Sequence, residues 1–241
     1  MLIRKRRHAA VPAGTTSLNR ALSKLGLLSR ARASEAIRAG RVRVGGRIVT
    51  EPLHRVVPER VRITIDEAPQ PRHPWRTLVF HKPRGVMTTS RDPRGRPTIY
   101  DVLGDAGRGL VAAGRLDLAT SGLLVMTNDT QLANWITDPA NAVPRLYLVT
   151  VRGAIETDLP GVTIRKRSTR ETHLIVELRQ GRNREIRKMF QSIGHDVMRL
   201  KRVRFGGLEI GDLRPGKWRA LTRSDVRRAF PAAAKLRSLA D

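Results

Sequence analysis

The sequence predicts an α+β protein in two domains: a small helix–hairpin unit, then a larger unit built on a mixed, largely antiparallel sheet. Three observations predict it. From Ser17 to Asp66, two short helical patterns precede alternating runs around Gly45-Gly46. Residues 67–76 gather Pro69, Pro71 and Pro74, the composition of a linker. Beyond it, strand-like and helical runs mix without an internal repeat or sustained βαβ alternation, which speaks against a doubly wound parallel sheet. The expected boundaries are a basic disordered arm at 1–16, a small domain at 17–66, a linker at 67–76, a large domain at 77–230 and a tail at 231–241.

The arm carries Arg4, Lys5, Arg6 and Arg7 and no apolar periodicity, so it has nothing to bury. Ser17 is placed to cap a helix bearing Leu18, Leu22 and Leu25, and Gly26 to end it. Ser29 opens a second helix with Ala33, Ala36 and Ile37 inward and Gly40 at its end. Gly45-Gly46 then joins the runs 41–44 and 47–49 as a hairpin, and 61–65 alternates as a third strand. In the large domain, strands are expected at 78–81, 122–127, 146–151 and 174–178, with helices at 130–137 and 184–193. In the last helix Ile186, Met189, Phe190 and Ile193 form an inward stripe, with Asn183 as cap and Gly194 as terminator.

The formal net charge is +26, from 47 Lys+Arg against 21 Asp+Glu. A charge of that size and single sign implies a polyanionic partner, and phosphate neutralisation with counterion release makes nucleic acid the first choice over an acidic membrane surface. No apolar run is long enough to span a bilayer and no signal-peptide core is present, so a cytoplasmic protein is expected. The chain has no cysteine, which excludes disulfides, zinc-thiolate sites and cysteine nucleophiles. Its six histidines are scattered, so no metal site is expected. Arg30, Arg32, Arg38, Arg41, Arg43 and Arg47 concentrate charge on the second helix and hairpin, as an RNA-backbone platform or a solvated basic face would.

The segment 114–129 reads G-R-L-D-L-A-T-S-G-L-L-V-M-T-N-D. Its polar, Gly-bounded first half suits an exposed loop and its second half a buried strand. Asp117 would thus be fixed yet reachable. The same residues leave another role open, a turn aspartate bonding the hydroxyls of Thr120 and Ser121.

Two resemblances bear on function. The stretch 18–66, with L-S-R-A-R-A-S-E-A-I-R-A-G-R-V-R-V-G-G-R, resembles an S4-type α/β RNA-binding domain, a family that sets two helices and a basic hairpin against structured RNA. The loop Gly114 to Gly122 resembles the signature of the S4-domain-containing small-subunit/large-subunit rRNA pseudouridine synthases. In the same order come His81-Lys82-Pro83-Arg84-Gly85, Asp92-Pro93-Arg94-Gly95-Arg96-Pro97-Thr98 and Gly181-Arg182-Asn183-Arg184-Glu185-Ile186-Arg187-Lys188-Met189-Phe190, similar to that family's other motifs.

The resemblance implies an isomerase that needs no cofactor: uracil is detached from its ribose, turned and rejoined through carbon. Asp117 is implied as nucleophile, Arg187 as the cation that keeps its carboxylate ionised, and Tyr147 as the ring that stacks on the target base. Ile186 and Leu200 complete the base pocket. Arg115 is implied as the wedge that fills the gap left by a flipped base. Lys82, Arg94, Arg96, Arg182, Asn183, Arg184 and Lys188 are implied in RNA binding, with ribosomal RNA, of the large subunit, as partner and a monomeric enzyme. One departure is a shortened passage from Gly153 to Val162. The competing readings are a non-catalytic RNA-binding or ribosome-assembly protein and a DNA-binding regulator. Asp117 weighs against the first, and the lack of a helix-turn-helix or zinc pattern against the second.

Overall fold

The computed structural model describes residues 15–239 except 26, 29, 59, 67 and 70–73. The expectations for the basic arm over 1–14, for Gly26 and for Ser29 lie outside the described residues. The chain divides into two compact units, 1–73 and 74–241.

In the first unit β1 (Thr16–Ser17) leads into α1 (Leu18–Lys24), followed by α2 (Arg30–Arg38). Thr16, expected at the end of a disordered arm, is paired with Val56 of β4 (Arg55–Val56). Ser17 makes no side-chain cap bond; its Oγ donates instead to Asn19 Oδ1 at 2.8 Å. Leu18, Leu22, Ala33, Ala36 and Ile37 are buried in one core with Val42, Val56 and Ile63. β2 (Val42–Val44) and β3 (Arg47–Ile48) form the expected hairpin. Gly45 and Gly46 both take positive φ, +58° and +85°, as a two-residue turn matched to strand twist requires. β5 (Ile63–Ile65) pairs with β2 and also with β6 (Ala68–Pro69), so the expected linker begins as a sheet edge. Proline is tolerated there because an edge strand leaves one row of donors unused.

The second unit is built on one sheet. Its strands are β7 (Thr77–Lys82), β8 (Val111–Ala112), β9 (Ser121–Thr127), β10 (Arg145–Arg152), β11 (Val162–Arg167), β12 (Glu171–Leu178), β13 (Val197–Phe205), β14 (Leu208–Glu209) and β15 (Trp218–Leu221). The spatial order is β11-β12-β10-β13-β9-β7-β15, with β8 on β9 and β14 on β13. Every pairing is antiparallel except β13 with β9, which makes the sheet mixed and largely antiparallel.

Both faces are covered at the centre. Phe80, Leu124 and Met126 pack on one side with Ile99 and Leu103 of α3 (Ile99–Leu103) and Phe190 of α5 (Glu185–Gln191). Val79, Leu123 and Val125 pack on the other with Leu132 and Ile136 of α4 (Thr130–Thr137) and Val226 of α6 (Arg223–Ala229). Double coverage explains why β9 reads as an unbroken apolar run, whereas β12 alternates.

The tail from Pro231 forms two short 3-10 helices, Pro231–Lys235 and Arg237–Leu239, and Ala233 and Leu239 are fully buried in the second core layer. Two expectations are corrected here. α5 ends at Gln191, and Ile193, expected on its inward stripe, is 39% exposed. The residue before α5 is Arg184 rather than Asn183, held at φ +53° without a side-chain cap. The chain direction is set there by Glu185, whose Oε2 accepts the Arg182 N–H at 2.7 Å. No helix among the described residues is long and apolar enough to cross a membrane.

Candidate active site

The loop between β8 and β9 carries Asp117, and nearly every residue around it is held by its backbone. Thr88 Oγ1 donates to Leu116 O at 2.7 Å, and Gly85 N donates to Leu118 O at 2.8 Å. Thr120 N donates to Asp117 O at 3.0 Å, closing a tight turn. Lys82 Nζ donates to three carbonyls, Pro83 O at 3.0 Å, Asp117 O at 3.1 Å and Thr120 O at 2.8 Å. The Asp117 carboxylate, by contrast, makes no hydrogen bond among the described residues. The turn role through Thr120 and Ser121 hydroxyls is therefore not the one taken; Thr120 Oγ1 is itself buried without a partner.

Lys82 corrects an expectation. It was read as an RNA contact, but it is 0% exposed. Burial pulls its pKa from 10.5 down to about 8, opposed by the nearby charge of Asp117. Arg96, expected in RNA binding, is partly exposed and also has a structural partner. Its guanidinium grips Asp92 twice, Nε to Oδ2 at 3.0 Å and a terminal nitrogen to Oδ1 at 2.8 Å, while Asp92 Oδ2 also accepts the backbone N–H of Arg94 and Arg96. Those bonds, the Arg96 side chain first, bring the Asp92 pKa down to about 2. The D-P-R-G-R turn is thus a closed ion-pair clip, with Arg94 left exposed.

Asp117 lines a cavity of about 330 Å³ in the second unit. Arg115, Tyr147, Arg182, Asn183, Arg184, Ile186, Arg187 and Leu200 line the same cavity, so widely separated motifs converge on it. Tyr147 and Leu200 project from β10 and β13, and Ile186 from α5. All three are buried, which makes a fixed apolar wall. Arg187 donates to Val197 O at 2.8 Å and to Ala119 O at 3.5 Å, bracing the Asp117 loop. It forms no ion pair with Asp117 within 4.0 Å, yet the two charges attract. Burial and the Arg184 charge lower the Arg187 pKa, and Asp117 opposes them. Lys188 is exposed and does not line the cavity. The basic residues of the first unit, Arg30, Arg32, Arg38, Arg41 and Arg47, are exposed on α2 and the hairpin; Arg41 pairs with Asp66 at 3.4 Å.

Sequence reasoning missed Arg145 and Arg202, buried arginines at the far end of the cavity. Arg145 carried a usable signal. It stands two residues before Tyr147 on a strand and so shares its face. No group of residues able to hold a metal ion exists among the described residues.

Comparison with known proteins gives one consistent picture. The family model described as RNA pseudouridylate synthase matches residues 76–164, and the S4 domain model matches 17–61. A ribosomal large subunit pseudouridine synthase B of Bacillus subtilis is 32% identical over 243 residues, covering 93% of this chain and 96% of the relative. An uncharacterized RNA pseudouridine synthase of Aquifex aeolicus is 32% identical over 233 residues, covering 89% and 94%. A crystal structure of a pseudouridylate synthase superposes with a TM-score of 0.58 at 25% identity, covering 89% of this chain and 99% of that one.

Proposed function

We propose that this chain, which belongs to the RNA pseudouridylate synthase family and carries an S4 domain, isomerises a specific uridine of large-subunit ribosomal RNA, with Asp117 as nucleophile. Two relatives support the RNA class, being named ribosomal large subunit pseudouridine synthase B. The observation that carries the nucleophile assignment is the contrast within one loop: the backbone of residues 116–120 is held by hydrogen bonds while the Asp117 carboxylate is left unpaired in the cavity.

In the proposed reaction the target uridine leaves its stack and enters the cavity, because its ribose and base are out of reach inside a helix. Arg115, exposed at the rim, fills the vacated gap with its planar guanidinium. The base lies on Tyr147, against Ile186 and Leu200. Asp117 attacks the nucleotide as the N1–C1′ bond breaks. The uracil turns, a C5–C1′ bond replaces the lost one, Asp117 is released, and the proton on C5 is given up as N1 takes one. Atoms and charge balance without redox or a cofactor. Arg187 favours the ionised carboxylate and holds the loop through Ala119. The arginines of α2 and the hairpin, with Arg94, Arg182, Asn183, Arg184 and Lys188, engage the RNA backbone in a monomeric, cytoplasmic enzyme.

The test is Asp117→Asn, assayed by mapping pseudouridine in unmodified large-subunit rRNA. Product formation should vanish while RNA affinity stays near the wild-type value. Retained turnover would overturn the nucleophile assignment.

A further inference from the structure

Arg145, Arg202 and Phe205 line the same cavity as Asp117 and, by the contacts of both arginines with Phe205, form one group at an end of it. Both arginines are buried, at 5% and 3% exposure. Their guanidinium carbons stand 5.0 Å and 4.8 Å from the centroid of the same Phe205 ring. Two cations sharing one ring repel each other, and after burial itself the Arg202 charge is what most disfavours the charged form of Arg145.

Neither has a carboxylate within 4.0 Å among the described residues. Glu185 attracts Arg145 only from a distance, and its Oε2 is occupied by the Arg182 N–H. The hydrogen bonds of both go to neutral carbonyls: Arg145 to Val143, Arg179 and Ile136, and Arg202 through Nε to Leu123. One terminal nitrogen of Arg202 is buried with no partner at all. Buried guanidinium groups are normally paired, so an orphaned donor beside a second uncompensated cation marks an absent anion.

Gly114 and Gly181 line the cavity with bare backbone, at φ +83° and +67°. A Cβ at 181 would come to 3.1 Å from Arg145 Nε, so the glycine keeps the space beside that guanidinium open.

We infer that this end of the cavity is an anion subsite that holds a phosphodiester adjoining the target uridine, with Arg202 as its ligand and Arg145 reinforcing the positive field. The inference rests on the RNA-modifying reading of the same cavity. A phosphodiester carries one negative charge on two acceptor oxygens, the shape a guanidinium fork meets. Arg202 lies directly across from Tyr147 in the β10–β13 register. The base platform and the anion ligand therefore stand on adjacent strands, and both line the one cavity.

The experiment uses the full chain and a synthetic RNA carrying the uridine found by the mapping above. The phosphodiester on its 5′ or its 3′ side is replaced singly by an uncharged methylphosphonate. At one of the two positions the replacement should raise the wild-type KM about ten-fold or more. In Arg202→Met the same replacement should have almost no further effect, because the contact is already gone. Arg202→Lys, which keeps the charge and loses the fork, serves where the Met variant does not fold. If neither replacement affects the wild type, or if the replacement and the substitution act independently, the subsite is overturned. If the unmodified RNA is not turned over at all, it is the functional reading that fails.

Discussion

Replacing Lys82 by Met keeps the unbranched stem of the side chain and deletes its ammonium. Three carbonyls around Asp117 lose their donor, at 3.0, 3.1 and 2.8 Å. Each such bond contributes about 1 kcal/mol net. Against this stands the cost of the buried charge. A pKa lowered from 10.5 to about 8 puts that cost at about 3 to 4 kcal/mol. The two nearly offset, so global stability should change by less than about 2 kcal/mol, a melting shift below about 8 °C for a unit of this size. The loop, however, loses the tie at Asp117 and Thr120, and kcat should fall about 100-fold, the effect of a catalytic group displaced by about 1 Å. Single-turnover pseudouridine formation and thermal melts measure the two effects separately. The sign of the pH dependence is fixed too. The folded-state pKa lies below the unfolded one, so between about pH 8 and 10.5 the unfolded chain binds the extra proton. Raising pH through that window should therefore stabilise the wild type relative to Lys82→Met. Normal turnover in the Met variant would refute the claim that Lys82 positions the loop.

Gly122→Ala should abolish soluble expression or cost more than about 4 kcal/mol, because its Cβ would lie 2.2 Å from Arg202 O at φ +114°; recovery of a normally melting variant would contradict the β9–β13 packing. Asp92→Asn should lower the melting temperature at neutral pH. The wild type should lose that advantage on acidification, since a carboxyl brought down to about 2 stabilises above its ordinary 3.8 and stops doing so as pH falls through 2. Arg94→Ala should reduce the slope of log affinity against log salt by about 1. Arg96→Ala should instead act through stability, because its guanidinium is committed to Asp92; equal salt slopes for the two variants would undo that distinction.

What the sequence reveals here depends on how local the cause is. The Gly45-Gly46 hairpin and the helix Thr130–Thr137 follow from turn chemistry and periodicity in a few residues, and both stand where those patterns place them. The position of Asp117 is legible for the same reason, on a polar loop feeding an apolar strand, while its role came only with the family resemblance. α3 was missed because its five residues carry too little periodicity, and its start depends on a capping box between Thr98 and Asp101. The burial of the chain's last turns is not legible locally, because Ala233 and Leu239 find their partners only in the folded second core layer. Ile193 failed in the opposite sense: the spacing was right, but the helix stopped before reaching it.

The charge argument shows the same limit. A net charge of +26 identifies a polyanion as partner but treats every cation as an available ligand. Lys82 holds three backbone carbonyls, and Arg96 is closed onto Asp92. Arg187 braces Ala119 and Val197, and Arg145 ties together three carbonyls around the cavity floor. These cations shape the site before they meet any phosphate. Burial makes Lys82, Arg187 and Arg145 costly, and a strand or loop carbonyl can be held by a neutral donor at lower cost. Cations are worth that cost only where their field is used as well. Lys82 and Arg187 border the Asp117 carboxylate, and Arg145 with Arg202 stands at the end left without an anion. If Asp117 is the nucleophile and Arg202 the phosphate ligand, the buried charges divide between the two negative groups the reaction brings together, a carboxylate from the protein and a phosphate from the substrate.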